Sequence, residues 1–489
     1  MAYTGVEFVR SELSLMIPHF DIVDDVVDEK VKEKGTLYLP MPNPKEDDCL
    51  DRYTAYKQRA VLYNATGRTL AGLVGQIFSN APEVELPGTL ANLQGNSDGE
   101  NISLVQSAKG AADNVLRHGR CGIYTDYTKL DHNPTQQEIQ EGVASPIITV
   151  HGARDVTNWK YYKKGGKRIY TLVVIRESYE KEPDPADIFK VENDIQFRVL
   201  KIVDDRYIVE IHRKMENGSY DVFETREPKD SNGKPFKEIP FSFIGAVNND
   251  PEPDLPPLLS LANINIAHYR NSADYEEACF IVGQPTYIIS GLDKAWYEEV
   301  LKKKINVGSR GGIALPTGAD GKILQVSPNT MPKEAMEHKE KQMVALGAKL
   351  VESDAAAQTA TEPNIHNAAE TSVLATIARN VSAGFSFALK FAARFAGEPE
   401  AQVKFALNTD FAITKLSPEE RNALIAEWQA GAITFSEMRA KLKGAGVATL
   451  EDKEARTEID KDADRESTQA ADAAKKLADA VPPKVPVNA

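Results

Sequence analysis

The chain has 489 residues, 42% hydrophobic and 27% charged, proportions that exclude wholesale disorder and a membrane-embedded protein and leave room for roughly two to four domains. Lys and Arg number 58 against 72 Asp and Glu, a net charge of -14, so any contact with nucleic acid has to be local rather than adhesive. The three cysteines, Cys49, Cys121 and Cys279, form no Cys-x-x-Cys pair, which argues against a disulfide scaffold or zinc ribbon and suits a reducing cytoplasm.

The N-terminus carries Glu7 and Glu12 without the basic-then-apolar order of a signal peptide, and the most apolar stretch, Ala71 to Phe78, is far shorter than the roughly 20 residues of a membrane helix. From Asp51 to Phe78 apolar residues recur at helical intervals (Tyr56, Leu62, Leu70, Val74, Ile77), which predicts one or two helices. Gly72 and Gly75 fall in that pattern with no preceding strand and no following Lys-Ser/Thr, so they read as close helix packing rather than a phosphate loop. A second helix spans Ile102 to His118, after which the period shifts towards two at Cys121.

Short β-branched or aromatic runs then follow at Ile147 to Val150, Trp159 to Tyr162, Ile169 to Arg176, Ile195 to Val203, Arg206 to His212, Tyr220 to Glu224 and Phe241 to Gly245. Turn pairs (Gly165-Gly166, Asp204-Asp205, Asn217-Gly218, Asn232-Gly233) separate several of them, predicting an antiparallel, hairpin-rich region. After the acidic, proline-rich joint Asn248 to Pro257, helix returns over Leu258 to Phe280. A small β insert follows, with a short helical piece at Trp296, before a helix over Asn329 to Glu352 that places Met336, Met343, Leu346 and Leu350 on one stripe. Ser353 to Asn367 is small, polar and broken by Pro363, an exposed loop. A long helix over Ala368 to Ala396 repeats Val373, Ile377, Val381, Phe385 and Leu389 and stops at Gly397 and Pro399.

The C-terminal part shows two capped helices, opened by Ser417-Pro418-Glu419-Glu420 and Thr434-Phe-Ser-Glu437. Beyond Leu450 the chain is charged and Ala-rich and is expected to fray. No nucleophile elbow, Walker A loop, His-Glu-x-x-His or dinucleotide fingerprint occurs, so no enzymatic motif and no cofactor is read from the chain. Asp460, Asp462 and Asp464 mimic the start of a calcium loop, but Arg465 replaces the turning glycine and Ala471 the closing Glu, leaving a solvated charge run. The eight histidines are dispersed, and His338, among Glu334, Glu337 and Glu340, reads as part of a solvated helix face.

The order of segments, together with the stretches RYTAYKQRAVLYNATGRTLAGLVGQIF, Asn158-Trp159, Gln196-Phe-Arg-Val-Leu200 and KEIPFSFIGA, resembles a tailed-bacteriophage portal protein, the head-to-tail connector, of a portal family formerly of unknown function. The likeness covers most of residues 1–450. It implies an α+β portal fold: a wing over 1–257 and 368–414, stem helices over 258–280 and 329–352, a clip over 281–328, a tunnel loop over 353–367, and a crown with a flexible tail over 415–489. It further implies a homo-oligomeric, dodecameric ring at one capsid vertex, without enzymatic activity, cofactor or metal and away from membranes. Its partners would be the major capsid protein, the terminase large subunit, head-tail adaptor or tail proteins, and double-stranded DNA passing through the channel. The location would be the virion, with assembly in the host cytoplasm.

On that map Gln358, Thr359, Asn364 and His366 of the tunnel loop and Lys341 and Lys349 of the stem would meet DNA, while Lys302, Lys303, Lys304 and Arg310 of the clip would meet a partner. Stem residues Lys333, Lys339, Lys341 and Lys349 alternate with Glu334, Glu337 and Glu340, a mixture too balanced to hold DNA tightly. These lysines equally suit a solvated helix face or inter-subunit ion pairs. Rival readings are another virion component, such as a scaffold or tail subunit, and an enzyme with an unfamiliar site.

Overall fold

The computed structural model describes residues 5–45, 47–128, 145–182, 187, 189–284, 286–301, 315–324, 329–351, 372–409, 411, 418–444, 447–448, 450, 452–459 and 461. Contacts group the chain into two compact units, Met1–Phe411 and Ala412–Ala489. Among the described residues no helix is long and apolar enough to cross a membrane.

The first unit opens with α1 (Ser11–Val27), followed by α2 (Cys49–Arg59) and α3 (Ala65–Ile77), so the stretch expected to hold one or two helices holds two. Asn64 separates them, its side chain accepting from the Gly67 amide as an N-cap. Strand β1 (Glu83–Glu85) leads to α4 (Leu104–His118), where Ser103 and Gln106 close a reciprocal capping box and Gly119, at φ 76, ends the helix. The glycines of α3 correct one expectation. Leu70, Leu73 and Ile77 form its packed face, which turns Gly72 and Gly75 outward, and a Cβ built on either meets nothing within 4 Å.

The β region is antiparallel throughout. Strands β2 (Arg120–Tyr127), β3 (Pro146–Gly152) and β9 (Phe241–Gly245) form one sheet in the order β3-β2-β9. A meander of β4 (Val156–Lys164), β5 (Lys167–Glu180), β6 (Asn193–Val203), β7 (Arg206–Lys214) and β8 (Tyr220–Arg226) forms a second. The expected turn pairs do the joining: Gly165, Gly166, Asp204, Asp205, Gly218 and Gly233 all take positive φ. Trp159, Tyr207, Phe241 and Phe243 fill the space between the two sheets.

Helices α5 (Leu259–Val282), α6 (Met331–Val351) and α7 (Val373–Ala396) follow, with β10 (Thr286–Ser290) and β11 (Asp320–Leu324) between the first two. The last helix is the spine of the unit. Its repeat Ile377, Val381, Phe385 and Leu389 is fully buried against the three-stranded sheet and α4, and Gly397 closes it in the left-handed conformation. Its first described turn begins at Val373, where the Ser372 hydroxyl caps it by accepting from the Ala375 amide; the expected start over 368–371 lies outside the described residues. Strand β12 (Lys404–Ala406) then pairs with β1.

In the second unit α8 (Pro418–Gln429) and α9 (Phe435–Gly444) occupy the two expected positions, and Thr434 and Glu437 form the expected capping box. Of the stretch beyond Leu450 expected to fray, residues 452–459 are helical, while 462–489 lie outside the described residues. Asp452 accepts from Ser436 at 2.7 Å, Arg439 reaches the Leu450 carbonyl at 2.6 Å, and Ala455 is buried.

Candidate functional site

The feature that stands apart from the packed core is the pair α5 and α6 with its β extension. The N-terminal half of α5 is the root: Leu261, Ala262, Ile266, Tyr269 and Ala273 are buried, whereas no residue beyond Ala273 is. Polar residues in that half seat the helix. Asn265 accepts from the amide and hydroxyl of Thr66 at 3.1 and 3.0 Å and donates to the Tyr63 carbonyl at 2.8 Å. Ser272 exchanges hydrogen bonds with the backbone of Val61, and Arg270 donates to the Tyr38 carbonyl at 2.6 Å. Further out, Tyr56 donates to Asp274, Arg59 pairs with Glu277, and the same guanidinium lies 4.2 Å from the centre of the Phe280 ring. These anchors fix the direction in which the outer half of α5 leaves the body.

The two helices run antiparallel, since contacts at rising positions of α5 fall at declining positions of α6. His268 pairs with Glu340 at 3.3 Å, Lys339 donates to Asn271 at 2.6 Å, and Tyr275, Cys279 and Val282 share a cavity of about 190 Å³ with Asn329, Thr330 and Lys333. On α6 only Met343 is fully buried, with Leu346 and Leu350 packed partly against the main core. At the far end β10 and β11 pair antiparallel from Thr286↔Leu324 to Ser290↔Asp320, and a single π-helical turn, Trp296–Val300, lies between them in sequence.

The stem lysines expected to act alike do not. Lys339 turns onto α5 and is committed to Asn271, and Lys333 pairs with Glu337 one turn on at 3.7 Å. Lys341 and Lys349 are exposed, without an ion pair or hydrogen bond among the described residues. His338 is exposed, on the solvent side of α6. The clip residues Lys302, Lys303, Lys304 and Arg310 and the loop residues Gln358, Thr359, Asn364 and His366 lie outside the described residues, as do Asp460, Asp462 and Asp464. Among the described residues no three His, Cys, Asp or Glu side chains gather as metal ligands would.

Asn265, which seats α5, and His268 and Asn271, which meet α6, are absent from the candidates read in sequence. Their signal is there: polar residues at intervals of three along a helix mark one face that needs partners.

Residues 257–396, from the start of α5 to the end of α7, match a family model described as a domain of unknown function (DUF4055). No curated protein matches the chain. Among solved structures it is similar to a chain of the virion of a native gene transfer agent (GTA) particle, at 13% identity and TM-score 0.41, over 86% of this chain and 99% of that one. It is also similar to a chain of the neck of the empty GTA particle computed with C6 symmetry, at 16% identity and TM-score 0.40, over 79% of this chain and 90% of that one. For the neck of the native GTA particle computed with C12 symmetry the values are 15% identity, TM-score 0.41, and 79% and 92% coverage.

Proposed function

We propose that this chain is the subunit of a phage portal ring, the conduit at one capsid vertex through which terminase packages DNA and from which DNA is ejected. The observation that carries the reading is the antiparallel pair α5 and α6, rooted in the body at one end and bearing the β10-β11 ribbon at the other. A helix of 24 residues is about 36 Å long at 1.5 Å per residue, enough to line much of a short channel. In this reading the helix pair is the stem, the ribbon belongs to the clip, the two sheets with α1–α4 and α7 form the wing, and the second unit is the crown. The capsid protein and the head-tail adaptor would dock outside the channel, and Lys341 and Lys349 would present isolated cations to DNA. Two isolated cations per subunit attract phosphate without trapping it, since affinity grows with the number of phosphates neutralised.

Copies related head to tail close into a ring when the rotation between them closes. Purified protein imaged by electron microscopy is therefore expected to give closed rings with a central hole, and chelators are expected to leave them intact. Monomers, dimers or open filaments alone, across several salt concentrations, would overturn the assignment in favour of another virion component.

A further inference from the structure

The hairpin between β4 and β5 has the sequence Lys160-Tyr-Tyr-Lys-Lys-Gly-Gly-Lys-Arg168, five cations and no acid in a chain whose net charge is -14. Strand β5 pairs with β6 only from Leu172 onward, so residues 161–171 stand beyond the sheet as a two-stranded ribbon. Lys160, Lys163, Lys164, Lys167 and Arg168 are all exposed, and none has a carboxylate within ion-pair distance among the described residues. Arg168 instead lies over the Tyr161 ring, 5.2 Å from its centre.

The register makes this costly. Lys163 stands directly opposite Arg168, and Lys164 directly opposite Lys167. Like charges in directly opposed cross-strand pairs destabilise a sheet, and here two such pairs sit at the tip with no acid among the described residues to relieve them. The foot of the ribbon is firm: Tyr170 packs against the rings of Phe241 and Phe243 at 5.9 and 6.1 Å, and Tyr161 packs on Tyr170. A rigid foot under a self-repelling tip is an arrangement that an external anion stabilises.

From this we infer that the β4-β5 tip binds the phosphate backbone of double-stranded nucleic acid. Successive side chains of a strand point to opposite faces, so Lys163 and Arg168 lie on one face and Lys164 and Lys167 on the other. A two-stranded ribbon fits the major groove of a duplex, where cations on both faces reach phosphates on both walls. An acidic protein surface would engage a single face and leave the other pair repelling. The inference is independent of the channel reading, because the hairpin belongs to a different element from Lys341 and Lys349.

The test uses the full chain and a short fluorescein-labelled DNA duplex of scrambled sequence, titrated by anisotropy over roughly 50 to 200 mM salt. Neutralising Lys163, Lys164 and Lys167 together (K163Q/K164Q/K167Q) is expected to weaken binding about tenfold at the low-salt end and to lower the log-log salt slope by roughly 3, about 0.9 per released contact. The melting temperature of that variant is expected to rise, since the like-charge pairs are gone. K234Q/K237Q, which neutralises two exposed lysines outside both the hairpin and the stem helices, is the control and is expected to leave duplex binding in place. Unchanged affinity in the triple variant, absence of duplex binding by the parent, a lower melting temperature, or preference for polyglutamate over the duplex would each overturn the proposal.

Discussion

Glu177 shows how a single side chain ties the β region together. Burial pushes its carboxyl up, but the Arg198 guanidinium, at 2.7 and 3.2 Å, and the Gln196 amide, at 3.1 Å, outweigh that and hold it below the ordinary carboxylate value. The same Arg198 reaches Asp126 on β2 at 3.1 Å, and Asp126 also accepts from Arg226 on β8 at 2.9 Å, so the charge network bridges both sheets. A carboxylate with a depressed folded pKa contributes stability above its unfolded value of 4.5 and loses it as pH falls through the lower folded value. Glu177→Gln is expected to cost about 2 kcal/mol at pH 7, as for a hydrogen-bonded charge. In urea titrations the gap between parent and variant should close as pH drops below 4.5; a gap constant down to pH 3 would deny the carboxylate its role. Arg120 poses the opposite case, a cation held by rings rather than acids. Burial brings its guanidinium down to about 10, it lies 4.5 and 3.8 Å from the centres of the Trp159 and Phe243 rings, and it donates to the Pro251 carbonyl at 3.1 Å, so it fastens the proline-rich joint to the inter-sheet core.

Among the elements, α7 has a tight crossing at one residue. Gly384 lies where the helix crosses β9, and a Cβ there would come within 2.5 Å of Ile244 Cγ1 and 2.6 Å of Cδ1. Replacing glycine by alanine in a helix interior gains about 1 kcal/mol of propensity, while overpacking a tight core costs about 1–3 kcal/mol. Gly384→Ala is therefore expected to lower the melting temperature, and the same change in an Ile244→Ala background is expected to be neutral or stabilising. The coupling energy of that cycle decides it, since additive effects would mean that the two residues do not compete for space.

Over the whole molecule, the two units make separate demands on the chain. In the second, Arg456 lies 4.8 Å from the centre of the Phe435 ring, and Asp452 holds Ser436, with Arg439 and Lys443 close by. A chain ending at 461 is expected to keep the helical signal and protease resistance of this unit, whereas one ending at 450 is expected to lose both without altering the first unit. Equal behaviour of the two truncations would show that residues 451–461 contribute nothing to it.

Much of this organisation is local and was legible in the residues. Period-two and period-four patterns, the capping residue Thr434 and turn pairs such as Gly165-Gly166 act within a few positions of themselves, so the type and order of most elements after Asp51 follow without knowledge of the fold, whereas α1 and β1 escaped the reading. Direction does not. Whether Gly72 packs or faces solvent, and whether Lys339 is a free cation or a ligand of Asn271, depends on which neighbour lies across each helix face. The same holds for the mixed fortunes of the cations: KYYKKGGKR is plain in the sequence, but only the strand register sets Lys163 against Arg168, and only the surrounding fold leaves both without an acid among the described residues. The division of eight of the strands into a three- and a five-stranded sheet is likewise a tertiary decision, made by the burial of Trp159, Phe241 and Phe243 and by an Asp126–Arg198 pair 72 residues apart. Energies of that kind exist only once distant segments have already met.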